Sequence, residues 1–347
     1  MSELLFLLLF ILFVCSMLAV DLGVRNRHEH TITFKEAAVW TAVWIGIALL
    51  FFLFIYFHAE WIHGIKTVDD LQTINSRHGH QLQFDLSAPF AENLKLYRHT
   101  AAIEYLTGYF IEKSLSIDNI FVMLMIFISF KIERKYYHRV LFFGILGAIV
   151  MRFLFIFTAS ALIQRFQWVL LLFGIILIFT GIKLFFKKKE KPVDSEHHPI
   201  VRFLSKRQLI TPQFYGHDFF HRLNGRWLCT PLFVVLIVVE FSDVIFAFDS
   251  IPAIFSVTHD PYIVFFSNIF AILGLRSLFF MLESIMDKFR YLHIGLAVLL
   301  LFVGSKMLLP YIFHIHIPTF LSLLIILSII AVSILVSLLM PERAGKV

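Results

Sequence analysis

A chain of 347 residues that is 59% hydrophobic, with 42 phenylalanines and only 16% charged side chains, is too apolar for a water-soluble domain. In such a chain the formal net charge of +6 reads as membrane topology, because no RNA- or DNA-binding element accompanies it. The two cysteines, Cys15 inside one apolar run and Cys229 at the edge of another, offer neither a disulfide framework nor a CxxC metal or redox motif.

In chain order, apolar runs of roughly 18–20 residues or more predict an all-α, polytopic membrane protein. Its nine helices fall at about 4–22, 37–57, 101–130, 139–160, 167–186, 231–257, 261–283, 291–309 and 317–340. The first run lacks a basic start and a small-residue cleavage site, so it predicts a retained helix and not a signal peptide. The longest polar connections are 58–100 and 187–230. The second opens with KKKEK (187–191), a cytoplasmic anchor beside anionic lipid. Lys and Arg crowd the connections after helices 1, 3, 5 and 7 and the C-terminal tail, and are sparse in the alternate set. The positive-inside rule then predicts an N-terminus outside and a C-terminus in the cytoplasm.

Three short matches recur at nearly one spacing. Asp118-Asn-Ile-Phe121 echoes Asp243-Val-Ile-Phe246, Arg152-Phe-Leu-Phe155 echoes Arg276-Ser-Leu-Phe279, and Ile178-Phe-Thr-Gly-Ile-Lys183 echoes Leu301-Phe-Val-Gly-Ser-Lys306. The expected repeat is helices 3–5 followed by helices 6–8. Three helices per copy is odd, so the second copy enters from the opposite face. Such inverted repeats are typical of secondary transporters, with sites near the midplane at the repeat interface. The chain then divides into 1–100 (two N-terminal helices and a polar loop), 101–186 (repeat A), 187–230 (cytoplasmic loop), 231–309 (repeat B) and 310–347 (helix 9 and tail). Helices 1, 2 and 9 are peripheral additions.

Helices 3 and 6 carry the residues that point to function. Glu112 and Asp118 lie within TGYFIEKSLSIDNIFVMLMIF; Glu240, Asp243 and Asp249 lie within LFVVLIVVEFSDVIFAFDSIPAIF. Each ionised acid costs about 2.5–3.5 kcal/mol in a bilayer centre on insertion scales, so these groups must face protein or a wet cavity. Helical geometry sets Glu240 and Asp243 on one face and turns Asp249 about 120° away from Asp243, unless the helix is broken. Pro252, which cannot donate to the Phe248 carbonyl, is the expected breaker, with Ser114 and Ser116 loosening helix 3. The expected site is a midplane cation site built on Asp118 and Asp243, with Asp249, Glu240 and Glu112 contributing. Asn119, Ser250 and the Phe248 carbonyl supply neutral oxygens. Oxygen ligands favour Mn2+, Mg2+ or Ca2+ over Zn2+ or Cu+, and Met123 and Met125 nearby bias toward Mn2+ or simply pack.

The alternative is that the acids form buried ion pairs with Arg152, Arg276, Lys113, Lys183 and Lys306. The two arginines are the expected partners of the carboxylates, whereas Lys183 and Lys306 near helix ends are placed to snorkel. Asp21 is read as an interfacial cap. The 16 histidines, in pairs such as His28 and His30, His78 and His80, His197 and His198, and His314 and His316, are read as solvated loop residues.

With these residues in view, the chain resembles the TerC family of integral membrane proteins, in its Alx-like branch, related to the wider LysE superfamily. The matching stretches are MLAVDLGV (17–24), TGYFIEKSLSIDNIFV (107–122), FGILGAIVMRFLFIF (143–157), IFTGIKLF (178–185) and the long VEFSDVIFAFDSIPAIFSVTHDPYIVFFSNIFAILGLRSLFFML (239–282). Helix 9 and the 58–100 connection match poorly. The resemblance implies a nine-helix inner-membrane protein that moves Mn2+ out of the cytoplasm. It also implies a family named for tellurite resistance, with some members linked to metalation of exported proteins. Glu112, Asp118, Glu240, Asp243 and Asp249 occupy the family's acidic positions without departure.

No P-loop, HExxH or GxSxG occurs, so the sequence predicts neither an ATP-driven pump nor an intramembrane hydrolase. Export of a divalent ion would then be coupled to proton entry, with protons as the coupling ion and the metal as cargo, no cofactor being tightly bound. The second reading is a membrane scaffold that hands metal to secreted proteins at the export machinery. Homo-oligomerisation and export-machinery partners are compatible with either; nucleic acid is not an expected partner.

Overall fold

A computed structural model describes residues 2–25, 33–78, 82–85, 87–166, 168–186, 211, 215, 216, 218–223, 226–283, 292–313, 315 and 317–339, with the side chains of residues 21–25, 118, 121, 292, 293 and 338 left out. The helices are α1 (Glu3–Arg25), α2 (Phe34–His58), α3 (Glu60–His63), α4 (Val68–His78), α5 (Phe90–Ser129), α6 (Arg134–Arg165), α7 (Trp168–Phe185), α8 (Pro231–Phe255), α9 (Pro261–Leu273), α10 (Leu275–Glu283), α11 (Leu292–Ile312) and α12 (Thr319–Leu339). Before α8 a two-stranded antiparallel hairpin pairs β1 (Phe220–Leu223) with β2 (Arg226–Cys229).

The chain is therefore all-α and polytopic, apart from that hairpin. Among the described residues, seven helices are long and apolar enough to cross a bilayer, and the bent pair α9–α10 makes an eighth. The 40-residue α5 packs centrally against α2, α8, α9 and α12. Helices α1, α2, α7 and α12 bury only 22–28% of their apolar windows, while α9 and most of α10 are buried throughout, so the former present their Leu, Ile and Phe to lipid.

Small residues set the closest approaches. The densest helix pair is α7 with α11, which cross at Gly174, Gly181 and Gly304. A Cβ on Gly304 would lie 2.9 Å from the Gly174 carbonyl oxygen, so the backbones touch without side chains between them. Gly108 does the same for α5 against α9, where an added Cβ would meet Ser267 Oγ at 2.8 Å.

Three sequence expectations are corrected here. The connection 58–100 is not a plain polar loop: it folds into α3 and α4, and α5 begins at Phe90. Arg98 grips Glu60 with Nε at 2.7 Å and Nη2 at 2.5 Å, tying α3 to α5. The helix holding Asp249 is not interrupted, since α8 runs through Pro252 to Phe255. The interruption falls in the next span, where α9 ends at Gly274 and α10 leaves at 42°. Finally, His78 is no solvated loop residue; it closes α4, 2% exposed. The other histidines of the predicted pairs, the KKKEK run and Asp21's side chain lie outside the described residues.

Contacts group the helix ends on two faces. On one, His63 Nδ1 lies 2.9 Å from Glu3 of α1 and Nε2 lies 2.8 Å from Asp260 in the α8–α9 turn. Burial opposes charge on His63, yet Asp260 and Glu3 together outweigh it and raise its pKa to about 9. On the other face Arg134 meets Glu283 at 2.9 Å, and Arg139 lies over the Phe219 ring beside the hairpin.

Candidate metal pathway

On α5, Glu112, Ser116, Asn119 and Met123 recur at helical spacing and are all buried, forming one polar stripe in an apolar helix. On α6 the facing positions are Gly144, Ala148 and Arg152, small residues four apart that admit α8 closely and then present a guanidinium. On α8, Asp243, Ala247 and Ser250 are buried along one face, with Glu240 half-buried one turn before Asp243.

These stripes converge on Arg152, 1% exposed. Its Nη1 contacts both Glu112 Oε1 and Asn268 Oδ1, and its Nη2 lies 3.3 Å from Asp243 Oδ1. One guanidinium thus serves a carboxylate from each half of the expected repeat. Ser116 Oγ donates to Glu112 Oε1 at 3.3 Å. Beside this knot Glu240 and Asp243 line a narrow cleft with Met123, Gly144, Ala148 and Arg276. Glu112 Oε2 and Asp243 Oδ2 are buried with no hydrogen-bond partner, so each acid keeps one oxygen uncommitted. Two buried carboxylate oxygens without partners are costly to leave so, and a cation entering the cleft would answer them.

Not every predicted residue joins. Asp249 is on the far side of α8, where it accepts from Thr180 Oγ1 of α7 at 3.0 Å, with Lys183 of the same helix supplying a nearby positive charge. Asn119 is buried on α5. Asp118 precedes it in the same helix, but its side chain lies outside the described set. Ser250 Oγ is buried without a partner. Lys113 does not pair with the acids: its Nζ donates to the Ala271 carbonyl at 3.1 Å, capping α9 where the span breaks. Arg276 Nη1 meets His138 Nε2 at 2.8 Å while lining the cleft. Lys306 does not simply snorkel; with Glu104, His78 and His259 it lines a cavity of about 690 Å³.

Comparison with known proteins now decides the family. Residues 97–345 match the integral membrane protein TerC family. An Alx protein of Escherichia coli strain K12, provisionally designated a membrane-bound redox modulator, is 40% identical over 97% of this chain and 95% of its own length. This chain is also 42% identical to a membrane protein of Myxococcus xanthus over 96% of its length and 92% of that protein's. A Rickettsia felis membrane protein is 36% identical over 96% of this chain and 97% of its own. The chain belongs to the TerC family. No solved structure matches it.

Two site residues of this TerC protein were not singled out from sequence. Asn268 sits in an apolar run, and its polar amide there was a usable signal. Gly147 carried none: its role appears only because the Glu240 carboxylate packs where a Cβ would stand. Gly147→Ala is therefore expected to push the Glu240 carboxylate out of its seat while leaving the helices in place. Any divalent ion held by Glu240 would then bind about tenfold more weakly, equivalent to ~1.4 kcal/mol, with an unchanged melting temperature in detergent. Unaltered binding in a metal titration would mean that Glu240 holds no ion.

Proposed function

We propose that this TerC-family protein is a secondary transporter that exports a divalent cation, Mn2+ foremost, in exchange for protons. The pathway uses Glu112, Asp118, Glu240, Asp243 and Asp249, with Asn119 as a neutral ligand. The observation that carries this reading is Arg152 held between Glu112 and Asp243 while each acid keeps an unsatisfied buried oxygen. In this reading Arg152 is a resident cation that occupies the carboxylates between cargo ions and gives way when a metal arrives. Released protons and a displaced guanidinium keep the buried charge nearly balanced at each stage.

Packing supports an inverted repeat of α5–α7 and α8–α11. The first helix of each half packs on the second of the other (α5 on α9, α8 on α6), and the third helices pack on each other (α7 on α11). Exchanging the halves returns the same contacts, as a pseudo-twofold axis requires. With α5 counted as a span and α9–α10 as one, the described residues hold nine, and in this reading, with the membrane the inner one, the Lys and Arg distribution favours an N-terminus outside. Moving a divalent cation out against the potential costs about 4.6 kcal/mol per 100 mV, at 2.3 per charge, and two entering protons cancel that term. The redox designation of the Alx relatives has no chemical counterpart in the two cysteines, which stand alone in α1 and β2.

The test is Mn2+ flux in proteoliposomes with an imposed pH gradient. We expect many ions moved per protein, with a rate that follows the gradient. Mn2+ bound in stoichiometric amount without flux would favour the scaffold that supplies metal to exported proteins. Flux indifferent to the gradient would remove the antiport.

A further inference from the structure

A second cluster of metal-ligating side chains lies on the face that carries the start of α1, remote in sequence from the midplane acids. Glu3, His63 and His78 each bring one ligand atom within 4.8 Å of the others. They come from α1, α3 and α4, so the chain folds back deliberately to gather them. Gly64, at φ 68°, turns the backbone out of α3 directly after His63. The His63 and His78 rings stand 5.2 Å apart, the His63 side chain is fully buried, and His78 is 2% exposed.

Both ring nitrogens of His63 face carboxylates, and an ion would replace the proton between Nδ1 and Glu3. His63 Nε2 meets Asp260 Oδ2 at 2.8 Å, and Asp260 is itself held by its other oxygen, which accepts from Tyr262 N at 2.9 Å as the cap of α9. That is the carboxylate–imidazole support seen behind metal-bound histidines, and it directs Nδ1 toward Glu3 Oε1, 2.9 Å away. Tyr262 Oη donates to Glu3 Oε2 at 3.2 Å and orients the carboxylate. Arg77 Nη1, on a side chain 53% exposed, also reaches Glu3 Oε1 at 3.3 Å and has solvent to move into. The cavity of about 690 Å³ reaches His78 and gives an ion a way in.

We propose that Glu3, His63 and His78 form a divalent transition-metal site, with Asp260 as the positioning residue behind His63. Two imidazoles and one carboxylate are the donor set of Zn2+ and its neighbours, and such a set selects against Ca2+ and Mg2+, which take oxygens. Ligand bonds of about 2.0–2.2 Å place donor atoms roughly 3–4.4 Å apart, which this cluster allows. The bound ion clips the N-terminal helix to the α3–α4 connection and, through Asp260, to the start of α9. This site differs in chemistry and place from the carboxylate pathway and stands whether or not that pathway carries Mn2+.

A proton on His63 can bridge Glu3 and Asp260 without metal, so the test must separate the two. Full-length protein in detergent, stripped by chelator, is dialysed against Zn2+ and separately loaded with Co2+. We expect the wild type to bind one more equivalent of Zn2+ than His78→Gln. We also expect an intense visible Co2+ band of four- or five-coordinate character, lost in His78→Gln and kept in Asp243→Asn. Zn2+ should raise the melting temperature of the wild type and not of His78→Gln. Should the variant fail to fold, the Co2+ spectrum of the wild type decides alone. Equal Zn2+ in wild type and His78→Gln, or a weak octahedral Co2+ spectrum, overturns the proposal and leaves the protonated His63 clamp.

Discussion

Arg152→Met is expected to be the most destabilising single substitution in this protein, lowering stability by about 3–5 kcal/mol. The side chain is buried and touches Glu112, Asp243 and Asn268. Removing it leaves two carboxylates facing each other away from water with no counter-ion, the situation in which breaking a buried pair costs most. Little should accumulate in the membrane, and what does should melt well below wild type in detergent. The same logic predicts a rescue. Arg152→Met combined with Glu112→Gln and Asp243→Asn removes all three charges, and neutral replacement of a buried ion cluster is often tolerated. The triple variant should regain accumulation and melting temperature while moving no metal. Arg152→Lys should fall between, since an ammonium keeps the charge but cannot divide itself between two acids and an amide as the guanidinium does. A single Arg152→Met variant as stable as wild type would mean the acids are neutral in the resting protein, and Arg152 would lose its role as resident cation.

How much of this was written in the sequence depends on which physical signal each feature leaves. The acids were legible because charge in an apolar run is costly and must be answered. Arg152 was legible because its neighbourhood recurs around Arg276. The angle of about 120° between Asp243 and Asp249 was legible too, but a break at Pro252 was expected to bring Asp249 into the site; the helix runs on through Pro252, and Asp249 faces Thr180. The break escaped because Pro252 is a louder local signal than Gly274. A proline in the last turn of α8 loses one internal bond at an end that is loosening anyway, whereas Gly274 sits where Lys113 takes up the Ala271 carbonyl. His78 escaped for a different reason. Its burial follows from α3 and α4 folding under α1, a tertiary event that hydropathy along the chain does not report. Gly147 and Asn268 belong to interfaces between helices far apart in sequence, and periodicity tells which face is apolar without telling which helix it meets.

Asp243→Asn should have the opposite signature to Arg152→Met: flux falls by at least about a hundredfold while the fold survives. Arg152 keeps Glu112 as its counter-ion, and the asparagine carbonyl can still accept from Nη2, so no charge is stranded. What disappears is the uncommitted Asp243 oxygen and one proton-binding group of the cleft. A divalent ion then meets a site one charge poorer, and in a low-dielectric interior that charge matters more than any single hydrogen bond. Asp118→Asn, its counterpart in the proposed repeat, should behave alike if the two halves share one site. Asp249→Asn should be milder, because its carboxylate lies on the other side of α8 against α7 and enters as a separate station. The measurement is Mn2+ flux under a fixed pH gradient, beside melting temperature for each variant. Normal flux in Asp243→Asn would send the metal along another route. Reduced flux that tracks a lowered melting temperature would make Asp243 a structural partner of Arg152 alone. Only loss of flux at preserved stability assigns the carboxylate to the ion.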